Sequence, residues 1–452
     1  MYTYQDLVKV GEDTQRRIDF VHGVINQHKQ TAMYKTAVIA DEYARHRNTT
    51  ITNYRKLLYT ISGQAVPDNW SANYKIPSNF FFRFITQQTQ FLLGNGVTWQ
   101  NDGTAAKLGD DFDIQLQKAG KEALKCGVSF GFYNLDHVEV FSLLEFAPLY
   151  DEENGALMAG VRFWQISGNK PLRATLYEPD GYTDYMWQNG KGEVIREKRP
   201  YKVTVRFSDA DSVTIYDGEN YPSFPIVPLW ANDAKQSEIV GLRECIDAFD
   251  LIRSGYANDL DDVSQIYWTI SNAGGMDDID LAQFVQRIKT VKAAAVQDGQ
   301  KAEAHTVEIP YQSRTELLND LRRDMYEDFM ALDVRDIASG AVTATQIEAA
   351  YEPLNSKADA WEYYVTSFVK KILAIAGIDD NPTYTRSIMV NRSEEITNVI
   401  AGAEFTGAEY AAEKILTILG DGDRVKEILE RMDADELNRG FIPQQEGDDV
   451  IA

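Results

Sequence analysis

Apolar residues recur at steps of three and four along two long stretches of this chain, Glu238 to Asn272 and Thr343 to Ala376, and that spacing predicts a helix over each. The second stretch carries Ile347, Tyr351, Leu354, Ala358, Trp361, Val365, Phe368, Ile372 and Ile375 as one seam, which predicts packing along its whole length. The first carries Leu242, Ile246, Phe249, Ile252, Tyr256, Leu260, Val263, Tyr267 and Ile270, and stops at Gly274 and Gly275. Between these apolar positions lie Asp247, Asp250, Asp259, Asp261 and Asp262, which predict an acidic exposed side. At a helical rise of about 1.5 Å per residue each stretch reaches about 50 Å. Both read as columns in a larger assembly. Thr315 to Leu332, with Leu317, Leu321, Met325 and Leu332 on one face, reads as a helix running back antiparallel to the first column.

The connections between these helices have their own patterns. Met276 to Ser313 reads as a small αβ insertion, with a short helix at Leu281 to Ile288 and then VKAAAVQ and KAEAHTVEI flanking the hairpin pair Asp298 and Gly299. DVRDIASGAV, Asp333 to Val342, reads as a loop that interrupts the helices. Thr343 and Gln346 form a capping box that restarts helix, and Pro353 predicts a kink soon after.

Met1 to Ile61 reads as helix, with Ile18, Val21 and Ile25 on one face and a further helical stretch at Tyr43 to Leu58. Arg45, His46, Arg47, Arg55 and Lys56 crowd that second stretch, as a solvated face or as a contact to an acidic neighbour or a phosphate. From Asn73, NYKIPSNFFFRFITQQTQFLLGNGV turns at its proline, continues as a buried helix and closes on Gly94 and Gly96. Val138 to Trp230 alternates in short β-branched runs broken by Gly, Pro and Asp, which predicts a mostly β domain left through the extended PIVPLWAND. A short strand is expected at Tyr384 to Val390, helices at Glu409 to Leu419 and Asp423 to Met432, and a loose polar tail from Gln444. The class is α+β.

Composition narrows the functions. With 452 residues, 44% hydrophobic and 25% charged, the chain has the makings of two or three globular domains. A formal charge of −24 excludes gripping nucleic acid or anionic lipid over a broad basic face, but permits DNA to pass by. Cys126 and Cys245 are too few for a disulfide framework, and MYTYQDLVKV lacks the apolar core of a signal peptide, so synthesis in a reducing cytosol is expected. The most apolar stretch, Phe80 to Leu93, is broken by Arg83 and glutamines, so no membrane span is expected.

No motif points to catalysis. His22, His28, His46, His137 and His305 are scattered without metal-ligand spacing, and Gly190 with Lys191 in WQNGKGE fits a hairpin turn better than a phosphate loop. Asp151 and Glu152 read as turn residues before Gly155. The acidic pairs Asp110 with Asp111 and Asp277 with Asp278 leave a metal-dependent nuclease as one alternative; a pore-less helical scaffold or adaptor is another. No catalytic residue, metal or cofactor is expected. The 11% aromatic content reads as core and interface packing.

Several stretches, in this order, resemble the portal proteins of tailed bacteriophages, of the type found in Gram-positive siphophages: NYKIPSNF, LLGNGV, LYDEENGALMAGVRFW, PIVPLWAND, SEIVGLRECIDAFD and SGAVTATQIEAAYEPL. The resemblance covers most of Asn73 to Ala376. It implies a non-enzymatic ring, commonly of twelve subunits, at one capsid vertex of the virion, assembled in the host cytoplasm. It further implies a wing over 1–237, stem helices over 238–275 and 314–332, a clip over 276–313, a tunnel loop over 333–342, a long wing helix with return strand over 343–393, and a crown with tail over 394–452. Its implied partners are double-stranded DNA, the terminase motor, the head-to-tail connector, and the major capsid and scaffolding proteins.

A conduit has to touch DNA without holding it, because each cation against a phosphate adds to binding and so to drag. Asp333, Val334, Arg335, Asp336, Ser339 and Gly340 are the expected tunnel-loop residues, with Arg335 either guiding the duplex or paired to Asp333, Asp336 or a neighbouring subunit. Arg287, Lys289, Lys292 and Lys301 of the insertion are either partner or DNA contacts or solvated surface.

Overall fold

The structure is a computed structural model that describes residues 2–59, 63–68, 72–101, 103–207, 214–263, 267–271, 301–305, 311–335, 344–387 and 392–419, with Val425 and Ile428. It divides into two compact units: Met1–Leu332 with Pro353–Arg386, and Asp333–Glu352 with Ser387–Ala452.

In the first unit the N-terminal helices α1 (Tyr4–Val10) and α2 (Thr14–Gln30) lie on a five-stranded antiparallel sheet. Its strands are β6 (Phe146–Tyr150), β7 (Leu157–Trp164), β8 (Leu172–Glu178), β9 (Gly181–Gln188) and β10 (Lys191–Arg199), in the order β10-β9-β8-β7-β6. Alternation does the sorting here. Val21, Val24 and Ile25 of α2 meet Leu149, Ala159, Val161, Ala174, Leu176 and Tyr185 of the sheet. Asn189 and Gly190 take φ of 52° and 77°, the left-handed pair that a two-residue hairpin requires. Asp151 Oδ1 accepts from the amides of Glu153 and Asn154 at 2.9 and 3.0 Å ahead of Gly155 at φ 68°. Both turns expected from the sequence are therefore present.

A second core joins α3 (Ala32–Ala44), α5 (Phe80–Leu93), α7 (Phe112–Cys126), the sheet β13-β4-β5, and the long helix Ala344–Ala376. In that sheet β4 is Val128–Asn134, β5 His137–Ser142 and β13 Ile226–Trp230. The predicted seam is buried: from Leu354 through Ala358, Trp361, Val365, Phe368 and Ile372 exposure does not exceed 2%. Two glycines let this seam approach. A Cβ on Gly120 of α7 would lie 2.9 Å from the Trp361 ring, and one on Gly131 of β4 would lie 2.5 Å from the Phe368 ring.

The helical stretch expected over Tyr43 to Leu58 is corrected. Helix resumes only as α4 (Thr49–Asn53), followed by the hairpin β1 (Leu57–Tyr59) and β2 (Ala65–Pro67). Helix α3 stops at Ala44, where Arg45 caps it and His46 turns to φ 61°, and the β-branched Thr49, Thr50, Ile51 and Thr52 are weak helix formers that sustain only a short helix after the break. The first column is corrected too: helix α8 spans Arg243–Val263, and Tyr267–Ser271, expected to be helical, is strand β14 paired antiparallel with β15 (Lys301–His305). Tyr267, Trp268, Thr269 and Ile270 are aromatic or β-branched, and a pairing partner decides such a run toward strand. The β-rich region begins earlier than predicted, at Val128, because β4 is buried on both faces and so lacks the alternation that marks a half-exposed strand.

Of the strand expected at Tyr384 to Val390, only Tyr384 is strand: Thr383–Tyr384 pairs antiparallel with Val97–Thr98, residues 385–387 are not strand, and 388–390 lie outside the described residues. The second unit contains Ala408–Leu419, foreseen from the sequence, and a helix not foreseen, Arg392–Thr406. Gly274 and Gly275, the short clip helix, VKAAAVQ, the Asp298 and Gly299 turn, Thr343 of the capping box and the tail from Gln444 lie outside the described residues, as does the helix expected at Asp423 to Met432 apart from Val425 and Ile428.

Candidate stem and tunnel-loop site

Helix α8 and the return helix Tyr311–Phe329 form the antiparallel pair that the column pattern predicts. Aromatic rings of α5 hold them. Phe80 meets Phe249 of α8 edge-on at 5.1 Å, while Phe84 stacks on Phe329 at 4.9 Å and meets Tyr326 at 5.0 Å. Further along, Arg314 of the return helix pairs with Asp259 and lies 6.0 Å from the Tyr256 ring.

The other face of α8 carries a ladder that the sequence reading missed. The amide of Ser78 donates to Asp250 Oδ1 at 2.9 Å, that of Ile76 to Ser254 Oγ at 3.0 Å, and that of Tyr74 to Asn258 Oδ1 at 2.6 Å. Every fourth residue of a helix thus serves every second residue of an extended segment. The match is geometric: four helical residues rise about 6.0 Å and two extended residues about 6.6 Å. Asp250, Ser254 and Asn258 are exposed by only 0%, 2% and 8%. Asn48 adds a second donor, to Asp250 and to the Ser78 carbonyl, the latter at 3.1 Å. One sequence signal was available, because short polar side chains at i, i+4 and i+8 of a helix are poor helix formers that need an outside reason.

The acidic-face expectation is therefore corrected in part. Asp250 is fully buried, and burial pushes its carboxyl above the usual range, with the Asn48 and Ser78 hydrogen bonds opposing the shift. Asp247 is also engaged, accepting from Tyr43 and from Thr50 Oγ1 at 2.7 Å and lying 3.6 Å from Arg243. Asp247 faces Tyr43 of α3 and Thr50 of α4, and Asp250 faces Asn48 and Ser78, because α8 is covered on this side as well as on its apolar one. Asp259 keeps partial exposure beside Arg314. The side chains of Asp261 and Asp262, in the last turn of α8, lie outside the description.

Two further anchors gather at the end of the return helix. Gln87 of α5 clamps Leu332 reciprocally, its Nε2 donating to the Leu332 carbonyl at 3.0 Å and its Oε1 accepting from the Leu332 amide at 3.1 Å. Lys357 of the long helix donates to Glu238 Oε2 at 2.7 Å and to the Phe329 carbonyl at 2.9 Å, with its ammonium 3.3 Å from the Phe329 ring centroid. Burial lowers the Lys357 pKa and Glu238 opposes that shift. One lysine thereby ties the entry to α8, the end of the return helix and the long helix together.

Of the predicted tunnel-loop residues, Asp333, Val334 and Arg335 are described. Asp333 Oδ1 accepts from the Arg335 amide at 3.1 Å, and Val334 and Arg335 are exposed. Asp336, Ser339 and Gly340 lie outside the described residues, as do Arg287, Lys289 and Lys292; Lys301 opens β15, but its side chain is not described. Among the described residues no cluster of three or more His, Cys, Asp or Glu is arranged to hold a metal ion, and no helix is long and apolar enough to cross a membrane. Asp111 accepts from Gln115 Nε2 at 2.8 Å at the start of α7, while Asp277 and Asp278 lie outside the described residues.

Comparison with known proteins places this architecture. The chain is 25% identical over 362 residues to the portal protein of Clostridium phage phiCD119, covering 72% of this chain and 77% of that one. It is 22% identical over 437 residues to the portal protein of Bacillus phage SPP1, covering 89% and 85%. A chain in the neck of an empty gene transfer agent particle aligns over 75% of this chain and 90% of that one, with a TM-score of 0.43 and 9% identity. The family model described as "Phage portal protein, SPP1 Gp6-like" matches residues 27–436, nearly the whole chain, and the chain belongs to that phage portal family.

Proposed function

We propose that copies of this portal chain stand side by side in a closed ring of twelve at the capsid vertex, and that double-stranded DNA enters through it in packaging and leaves through it in ejection. The family match over residues 27–436 carries the reading. In it, α8 and the return helix are the stem, 276–313 is the clip that docks the terminase motor and later the head-to-tail connector, and 333–342 is the tunnel loop. Residues 1–237 with 343–393 form the wing and 394–452 the crown. The ring is assembled in the host cytoplasm and carried into the virion, where the major capsid and scaffolding proteins meet it.

The charge supports the same reading, since a chain at −24 offers passing phosphates few sites of capture, and Arg335, Arg287, Lys289, Lys292 and Lys301 guide the duplex. The paired helices contribute length without requiring a reactive group, and the reading gives the chain no catalytic step. Mass photometry and electron microscopy of the purified protein test it. A closed ring with an axial opening is the expected result; a strict monomer at high concentration across several salt conditions, or a solid particle, refutes it.

A further inference from the structure

The dipeptide Asn-Gly occurs three times in the chain, at Asn95 with Gly96, Asn154 with Gly155 and Asn189 with Gly190. It carries its own chemistry, because glycine has no side chain to shield its amide nitrogen from the side-chain amide carbon of the asparagine before it. Nitrogen and carbon can close a five-membered imide. All three asparagines are exposed, so access to water does not tell them apart. Their hydrogen bonds do.

Two of the pairs are held. Asn95 Nδ2 donates to the Thr385 carbonyl at 3.0 Å, and the Gly96 amide donates to the Leu93 carbonyl at 3.2 Å. Asn154 Oδ1 accepts from the Ala156 amide at 2.7 Å, and the Gly155 amide donates to the Asp151 carbonyl at 3.0 Å. In both pairs the attacking nitrogen and the attacked amide each give up a bond before they meet. At the third pair, among the described residues, neither the Asn189 side chain nor the Gly190 amide has a hydrogen-bond partner. Ring closure there needs the peptide between them to rotate out of the left-handed turn. That turn joins β9 to β10, the edge strand of its sheet, so opening it disturbs few neighbours.

We propose that Asn189 is a site of spontaneous deamidation in the folded protein, and that the fold protects Asn95 and Asn154. Water or hydroxide takes the Gly190 amide proton and the nitrogen attacks Asn189 Cγ; the Cγ–Nδ2 bond breaks, and Nδ2 leaves as ammonia with a proton from solvent. Water then opens the imide at either carbonyl, giving aspartate or isoaspartate with no change in oxidation state. Either product puts a new negative charge on the turn. Isoaspartate also routes the main chain through Cβ, and a two-residue hairpin does not accommodate the added methylene. The consequence reaches α2, because the adjoining ladder pairs Gly192 with Trp187, whose ring stacks on His22 at 5.8 Å.

The test ages the full-length protein, in whatever assembled form it is purified, in warm and mildly alkaline buffer. Peptide mapping by mass spectrometry follows each asparagine, and isoaspartate is separated from aspartate by its chromatographic shift. Asn189 is expected to react about tenfold faster than Asn95 or Asn154, or more, the factor that two hydrogen bonds of ordinary strength impose. In urea the three are expected to react at similar rates, which separates the effect of the fold from that of the dipeptide. Similar rates at all three in the folded protein, an unreactive Asn189 there, or a preference for Asn189 that persists in urea each overturns the proposal.

Discussion

Replacing Asp250 by alanine removes a side-chain acceptor shared by two buried donors, the Ser78 amide at 2.9 Å and the Asn48 side-chain amide. A buried donor left without an acceptor costs about 1–3 kcal/mol; the Ser78 amide is stranded while the Asn48 amide keeps the Ser78 carbonyl at 3.1 Å, so Asp250→Ala is expected to cost about 1–4 kcal/mol once part of the carboxylate's desolvation is relieved. Asp250→Asn keeps one oxygen for one donor and also removes the burial cost of the charge, so it should cost less than half as much. The pH dependence has a definite sign. Because the folded carboxyl titrates above the unfolded one, the folded state holds the proton longer, and stability conferred by Asp250 falls as pH rises from the ordinary aspartate range through the raised folded value. The Asn variant lacks this titration, so its stability relative to the parent improves across the same window. Urea unfolding followed by tryptophan fluorescence, repeated from acid to neutral pH, measures both effects. If alanine costs under about 1 kcal/mol, or asparagine costs as much as alanine, the ladder is not what holds the NYKIPS segment to α8.

Three further expectations come from the same structure. Gly131→Ala puts a methyl 2.5 Å from the Phe368 ring and should cost about 1–3 kcal/mol by overpacking; Phe368→Leu in that background should recover part of the loss, and thermal unfolding of both variants checks it. Lys357→Ala leaves the Glu238 carboxylate without its cation, 15% exposed, and should cost about 3–5 kcal/mol, with Glu238→Gln in the same chain restoring part of it in a double-mutant cycle. Gly340→Val should lower DNA packaging measured by nuclease protection while rings still form, if the 333–342 loop works at close approach to the duplex; undiminished packaging removes the loop from the mechanism.

The long-range periodicities were readable without coordinates because each needs only one partner surface. The seam from Leu354 to Ile372 is buried whatever lies opposite, since an apolar stripe at helical spacing has no other stable place. The Asn189 and Gly190 turn was readable for a comparable reason: positive φ at two successive positions is a local demand that few residue pairs meet. Family membership was legible through ordered short stretches, none of which is distinctive alone.

What tertiary structure decided were the cases in which two local outcomes lie close in energy and a distant partner selects one. Tyr267–Ser271 continues the helical spacing of α8, yet it pairs as a strand with Lys301–His305, because aromatic and β-branched residues tolerate both states and the ladder adds hydrogen bonds that the helix end cannot. Asp250 has the composition of a solvated acidic face, but Asn48 and Ser78, more than 170 residues away in sequence, make it a buried acceptor. Gln87 shows nothing in sequence that marks it as the clamp on Leu332. Periodicity determines which face of an element is buried; only the assembled neighbours determine which polar groups on the remaining faces are left to water, because a hydrogen bond depends on positions within a few tenths of an ångström and a hydrophobic stripe does not.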